Sequence, residues 1–316
     1  MKRRVRKRAV PPFRSQRLPW ARPEAWEWPT LGLFAATLVF WALSVTWVAT
    51  LWLPLAIILT TLALVLHSSL THEVLHGHPF PSRRASEGLA MVQLGLIVPY
   101  LRFRDLHLAH HQDARLTDPY DDPESNYLDP AVWAQLPNWR KRLMLFNNTL
   151  AGRMLIGPLI SQIAFMAQDW RAIRSGDRQA ALGWLLHIPG AVLVIWLVWL
   201  SPMPVWAYLI AVYAASSILR IRTFLEHQAH DRASGRTVIV EDRGLLAFLF
   251  LNNNLHVVHH MHPKVAWYRL PKLYRAHKAR YQKRNQGYVI GSYRDVFRDY
   301  FWRRKDPVAH PLWPYD

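Results

Sequence analysis

Two stretches of this chain run hydrophobic without a charged interruption. Residues 31–69 and 180–219 contain no Asp, Glu, Lys or Arg. A helix that crosses a bilayer takes about 20 apolar residues, so each block, 39 and 40 residues long, reads as two spans. The first block turns near Leu53–Pro54 and the second at Ser201-Pro202-Met203-Pro204, because proline cannot continue a helix interior. The pattern predicts an all-α integral membrane protein with four transmembrane helices in two hairpins and a helical cytoplasmic cap. A buried hairpin of a soluble protein is the alternative, but it rarely stays uncharged over such a length.

Composition sharpens this picture. The chain is 51% hydrophobic with 16 Trp, yet its formal net charge is +18. All 39 Lys and Arg fall in 1–30, 70–179 and 220–316. Those boundaries give a basic N-terminal arm (1–30), hairpin one (31–69), a central segment (70–179), hairpin two (180–219) and a C-terminal segment (220–316). The uncharged outer turns and the positive-inside rule place both termini and the central segment in the cytoplasm. The opening MKRRVRKRAVPPFRSQR is no signal peptide, since its apolar stretch begins after residue 30 and is too long for an h-region. It reads as an arm near anionic headgroups. Topology accounts for the charge, so nucleic acid is not an expected partner. Cysteine is absent, which excludes disulfides, thiolate metal sites and a Cys nucleophile.

The candidate chemistry lies in the histidines. LNNNLHVVHHMHP (251–263) puts His256, His259 and His260 at i, i+3 and i+4, positions that neighbour one another on a helix. RDLHLAHHQD repeats the spacing with His107, His110 and His111, THEVLHGHP offers His72 and His76, and RTFLEHQAH offers His227. His72 is expected a few residues past the second span and His227 about eight past the fourth, so all four groups emerge on one membrane face. Nine imidazoles are too many for one ion and suit two with open positions. His78 and His262 adjoin prolines and carry less weight; His67 and His187 lie within spans, where His67 suits a tunnel wall and His187 a local carbonyl. His230 neighbours Asp231 and suits a supporting place behind the ligands, while His277 and His310 show no pattern.

HEVLH (72–76), HLAHH (107–111) and HVVHH (256–260), flanking two hairpins, resemble the three histidine boxes of the membrane-bound fatty acid desaturase and hydroxylase superfamily; HHMHPKVAWYRLP (259–271) adds to the likeness. The resemblance runs from about residue 30 to 275. It implies a pair of iron ions held by the nine histidines, with His227 as the isolated ligand. It also implies dioxygen as co-substrate and a membrane lipid or acyl chain as substrate. Two electrons would come from a separate donor of ferredoxin, rubredoxin or cytochrome b5 type. Acyl desaturation is the expected reaction, with hydroxylation of a lipid or alkane, including carotenoid-type oxygenation, as the alternative. The HxxxH form of the first box looks closer to bacterial lipid desaturases and alkane hydroxylases, so a bacterial inner membrane is the expected location. Some acyl desaturases hold an Asn-bound water four residues before the isolated His; this chain has Thr223 there, and Asn252–Asn254 are the other amides at hand.

Carboxylates normally orient metal-bound imidazoles. Glu73, Asp105, Asp113, Glu226 and Asp231 flank the boxes and are the candidates. The acidic run LTDPYDDPES (116–125) reads as a proline-containing surface loop, with support of the second box or a substrate lid as the alternatives. HEVLH also fits the HExxH zinc-protease motif, with Glu73 as base, but that reading leaves both HxxHH boxes unexplained. A metal carrier would place polar groups at mid-membrane, and a structural adaptor explains none of the spacing.

Overall fold

The computed structural model describes residue 23 and residues 25–111 and 113–313. Most of the basic arm expected over 1–30 lies outside the described residues. Among the described residues, four helices are long and apolar enough to cross a membrane: α1 (Trp28–Leu51), α2 (Leu53–Leu75), α9 (Arg178–Trp199) and α10 (Val205–Leu225). Between α2 and α9 come α3 (Arg83–Ala90), α4 (Tyr100–His110), α5 (Pro130–Gln135), α6 (Asn138–Asn147), α7 (Leu150–Leu155) and α8 (Gly157–Arg174). After α10 come β1 (Ile239–Val240), α11 (Leu245–Leu249), α12 (His256–Met261), α13 (Leu270–Ala276), α14 (Lys278–Arg284), β2 (Val289–Ile290) and α15 (Tyr293–Tyr300). The two strands pair in parallel, Ile239 with Val289, and tie the segment before the last box to the segment after it.

The first apolar block breaks at Trp52, whose backbone is extended, and Pro54 sits in the first turn of α2, where its missing N–H costs nothing. The second block breaks between Trp199 and Val205. The outer faces of these helices carry bare apolar side chains, among them Trp47, Leu185, Val192 and Trp199, each more than half exposed. Such a belt is far larger than the apolar patches of a water-soluble surface.

Two expectations about span ends need correction. Helix α2 runs through His72 to Leu75, and α10 ends at Leu225, only two residues before His227. Charge-free composition marks where a helix meets its first ionisable side chain, whereas a backbone whose hydrogen bonds are made internally continues past it.

One irregular apolar segment, Met91–Pro99, is held among the long helices by its carbonyls. Tyr208 Oη donates to Leu94 O at 2.7 Å and itself accepts from Trp41 Nε1 at 3.1 Å. His187 Nε2 donates to Leu96 O at 2.7 Å, and Gln162 Nε2 to Ile97 O at 2.8 Å. His187 therefore does bond a carbonyl, but one 91 residues away rather than a local one. A backbone without its own ladder survives in such surroundings only where side chains satisfy it.

The box-two helix is fixed by a buried ion pair. Arg102 on α4 donates from Nε and Nη2 to the two oxygens of Asp169 on α8 at 2.9 and 2.7 Å, and Trp184 Nε1 on α9 adds a third bond at 2.9 Å. Gly183 makes room for the pair: a Cβ there would meet Arg102 Cγ at 3.0 Å.

Candidate metal centre

All nine expected histidines come together, in two sets. His72, His76, His107, His111 and His259 form one, and His110, His227, His256 and His260 the other, with ring nitrogens within 4.8 Å of one another inside each set. Helix geometry explains the division. Residues i and i+4 lie about 40° apart around a helix and adjacent residues about 100° apart. The pairs 72/76, 107/111 and 256/260 therefore each serve one set, while the neighbours of His111 and His260, namely His110 and His259, turn to the other. An HH doublet is what lets one short helix supply both.

Within the sets the Nε2 atoms face one another. His107 Nε2 lies 3.0 Å from His72 Nε2 and 2.9 Å from His111 Nε2, and His259 Nε2 lies 3.2 Å from His111 Nε2. His110 and His256 approach His227 Nε2 at 2.8 and 3.2 Å. Two nitrogens bound at right angles to one ion, each ~2.0–2.1 Å from it, stand ~3 Å apart. The observed spacings suit that arrangement. His76 Nε2 is buried without a hydrogen-bond partner among the described residues, as a lone pair reserved for a metal would be. The two sets adjoin, with the rings of His111 and His260 stacked at 4.2 Å.

The opposite ring nitrogens are held by acceptors. Asp122 Oδ1 accepts from His110 Nδ1 at 2.7 Å, Glu124 Oε1 from His107 Nδ1 at 3.0 Å, and Asn253 Oδ1 from His256 Nδ1 at 3.0 Å. These acceptors put the ring proton on Nδ1 and leave Nε2 as the donor atom for a metal. Glu124 reaches both sets, its Oε2 lying 3.9 Å from His110 Nε2.

Burial, and then the charges of neighbouring imidazoles, push His76, His111, His227, His256 and His259 well below the usual histidine value. Both effects favour the neutral imidazole that a metal ligand must present. His110 differs: burial would lower it, but Asp122 and Glu124 outweigh burial and raise it to about 9. Against the upward push of burial, His110 and His107 hold Glu124 well below the usual carboxylate range.

The segment around the sets extends well beyond the boxes. Residues 50–292 match the family described as Fatty acid desaturase. The chain belongs to the fatty acid desaturase family. The matched region contains all nine histidines of the two sets. Among curated relatives, a beta-carotene ketolase of Paracoccus sp. (strain PC1) is 28% identical over 265 residues, 77% of this chain and 90% of the relative. A beta-carotene ketolase of Paracoccus sp. (strain N81106 / MBIC 01143) is 26% identical over 215 residues, 64% of this chain and 71% of the relative.

In this desaturase-family chain, several flanking groups turn elsewhere than expected. Asp105 pairs with Arg104 at 2.7 Å instead of with a histidine. Asp231 is exposed, and the side chain of Asp113 lies outside the described residues. Asn252 donates to Trp267 O at 3.1 Å, leaving its neighbour Asn253 as the amide on His256. Glu226 lies between Arg222, at 2.8 Å, and His256 Nδ1, at 3.7 Å. Glu73 accepts from the Trp267 backbone N–H at 3.0 Å and approaches His72 only on its Nδ1 side, at 3.9 Å. A protease base would face the metal side of its histidines, so HExxH chemistry finds no support here.

The acidic run 116–125 is the chief correction. It supplies Asp122 and Glu124 to the second box instead of forming an ordinary surface loop. Thr223 Oγ1, one turn before His227, is buried with no hydrogen-bond partner among the described residues. His67 is buried edge-on against Phe34. His78 bonds Glu27 at 2.8 Å and stands outside both sets.

Proposed function

We propose that this chain is a multi-pass membrane oxidoreductase that uses dioxygen and a di-iron centre to oxidise an unactivated C–H bond of a membrane-dissolved hydrocarbon. The observation that carries the reading is the division of nine buried imidazoles into sets of five and four. Carotenoid-type ring oxidation is the first substrate reading, because the curated relatives are named beta-carotene ketolases. Acyl-chain desaturation is the second, favoured by the family description.

The spans form two hairpins with both termini cytoplasmic, in a bacterial inner membrane, and the remaining helices cap that face. Iron held in both sets would supply the activation of dioxygen. The chain's own part is to hold the ligands and keep the site dry. Asp122, Glu124 and Asn253 fix three rings through Nδ1, and burial excludes bulk water. The buried hydroxyl of Thr223 suits a bound water beside the second set.

Electrons would come from a ferredoxin-, rubredoxin- or cytochrome b5-type protein. Residues 243–294 contain ten Lys and Arg and no Asp or Glu. Tyr274 and Leu270 on α13 pack against Val257 and Val258 of the box-three helix, which seats this basic segment on the metal centre. A groove of about 390 Å³ lined by Met261, Arg280, Lys283 and Arg284 opens at the end of that helix. An acidic donor would be steered there.

The deciding experiment is metal content and product analysis on protein made with iron, in cells that also accumulate a carotenoid. About two irons per chain and a keto-carotenoid support the reading; new double bonds in acyl chains transfer it to the second substrate. One zinc and no iron would overturn it.

A further inference from the structure

Among the described residues, two arginines at the inner end of the fourth span form no salt bridge with a carboxylate, although the charges of Glu124 and Glu226 reach Arg220. Arg153 on α7 is buried, 7% exposed, and donates from Nε to Asn147 O at 3.1 Å and from Nη1 to Asn126 Oδ1. Its guanidinium lies 5.9 Å from the ring centroid of Phe224 on α10. Arg220 stands one turn before Phe224 and donates to Ser161 Oγ on α8. Ser161 in turn lies one turn past Gly157, where a Cβ would meet Arg153 Cδ at 3.1 Å. Both guanidinium groups therefore lie along the same pair of helices, one turn apart on each, and the charge of Arg220 reaches Arg153.

A guanidinium offers five N–H donors, and these contacts engage two of them on Arg153 and one on Arg220. Among the described residues no salt bridge joins either arginine to an acid. Asp306, the one acid whose charge acts on Arg153, pairs with Lys305 at 2.6 Å. Helix α8 also begins here, at Gly157, without a side-chain cap, so its dipole adds positive potential. Burial, and then the charge of Arg220, push Arg153 down to about 10. Adjacent like charges in a low-dielectric seam are costly unless an anion shares them.

We propose that this seam binds the phosphate of an anionic phospholipid, with the forked donors of Arg153 and Arg220 on its oxygens. Arg220 lies five residues from Leu225, the end of its span, which is headgroup depth once the spans are inserted. Basic pockets between spans on the cytoplasmic side suit anionic headgroups. Arg153 also holds Asn126, two residues beyond Glu124, so an occupied seam steadies the loop that buttresses His107 and His110. The proposal rests on membrane insertion and not on the reaction catalysed.

The test is thermal unfolding of the full chain in an uncharged detergent, followed by Trp fluorescence, with no turnover needed. Phosphatidylglycerol, phosphatidylcholine with the same tails, and inorganic phosphate are titrated separately. Phosphatidylglycerol at a hundredfold excess over its Kd should raise Tm by roughly 5 °C, and the other two should not. The double variant Arg153→Gln/Arg220→Gln should lose that increment. Equal responses to both lipids in the wild-type protein overturn the proposal, and this arm stands even where the variant fails to fold. A full response to inorganic phosphate overturns the lipid assignment in favour of a free oxyanion. An undiminished response in the double variant overturns the site.

Discussion

His110 and Asp122 are joined at 2.7 Å, Nδ1 to Oδ1, while Asp122 Oδ2 accepts from the Thr117 backbone N–H at 2.8 Å. The carboxylate is thus fixed by its own loop before it fixes the ring. Asp122→Asn keeps an acceptor and removes the charge. Metal affinity of the purified protein should fall by about 10- to 100-fold, measured by competition with a chelator. Wild-type affinity in this variant would show that the pair merely packs the loop. Glu124→Gln should act on both sets at once, since Glu124 touches His107 and His110.

Glu73 tests the protease reading in the opposite direction. Its Oε2 serves a backbone N–H, and a glutamine oxygen at Glu73→Gln accepts the same bond. Oxidative turnover should stay within about threefold of wild type, because the amide oxygen keeps the backbone bond that the carboxylate accepts. Loss of a peptidase activity in this variant would reinstate Glu73 as a base.

Buried on both sides, the Arg102–Asp169 pair sits 8% and 1% exposed. Asp169→Ala would strand a desolvated guanidinium between α4, α8 and α9. It should cost about 3–5 kcal/mol, read as a lowered unfolding midpoint. An unchanged midpoint would mean that water reaches Arg102.

Acidification should destabilise the metal-free protein. His76, His111, His227, His256 and His259 hold values well below 6.5 when folded, through burial first and neighbouring imidazoles second. As pH falls through 6.5 the unfolded chain takes up protons that the folded chain refuses, so stability drops. His110, raised to about 9, works the other way: its contribution is complete below 6.5 and fades as pH rises towards 9. His78, raised by Glu27 and Glu73 against the pull of burial, works in the same direction as His110, and five rings against these two give a net loss on the acid side. A melting series on metal-free protein should fall between pH ~7.5 and ~5.5, and a rise over that range would contradict the burial of the rings.

Donor docking should depend on charge. Reversing Arg280 and Lys283 to Glu should lower kcat/KM for an acidic donor by about tenfold at low salt, and added salt should narrow the gap. Equal rates at every ionic strength would move the docking face elsewhere.

The apolar blocks and the HH doublets are legible in the sequence because both are local: helix length and helix phase act within a few residues. The acceptors behind the imidazoles are not. Asp122 and Glu124 stand 12 and 17 residues from the rings they hold, across a proline-containing loop whose path no periodicity encodes. Proximity along the chain favoured Asp105, whose carboxylate is taken by the adjacent Arg104. Likewise Asn252, Asn253 and Asn254 are indistinguishable by type. The turn itself decides among them, with Asn252 at φ 58° and only Asn253 left facing His256.

The carbonyl anchors of Met91–Pro99 also impose an order on biosynthesis. Leu94 and Leu96 leave the ribosome long before Tyr208 and His187, their partners 114 and 91 residues downstream. Until those partners are made, the segment lacks the side-chain donors that satisfy these carbonyls. Its seating follows the synthesis of the last two long helices, and the box-two helix that begins at Tyr100 can settle only afterwards. The histidine sets are therefore completed late, when the nascent chain is nearly finished.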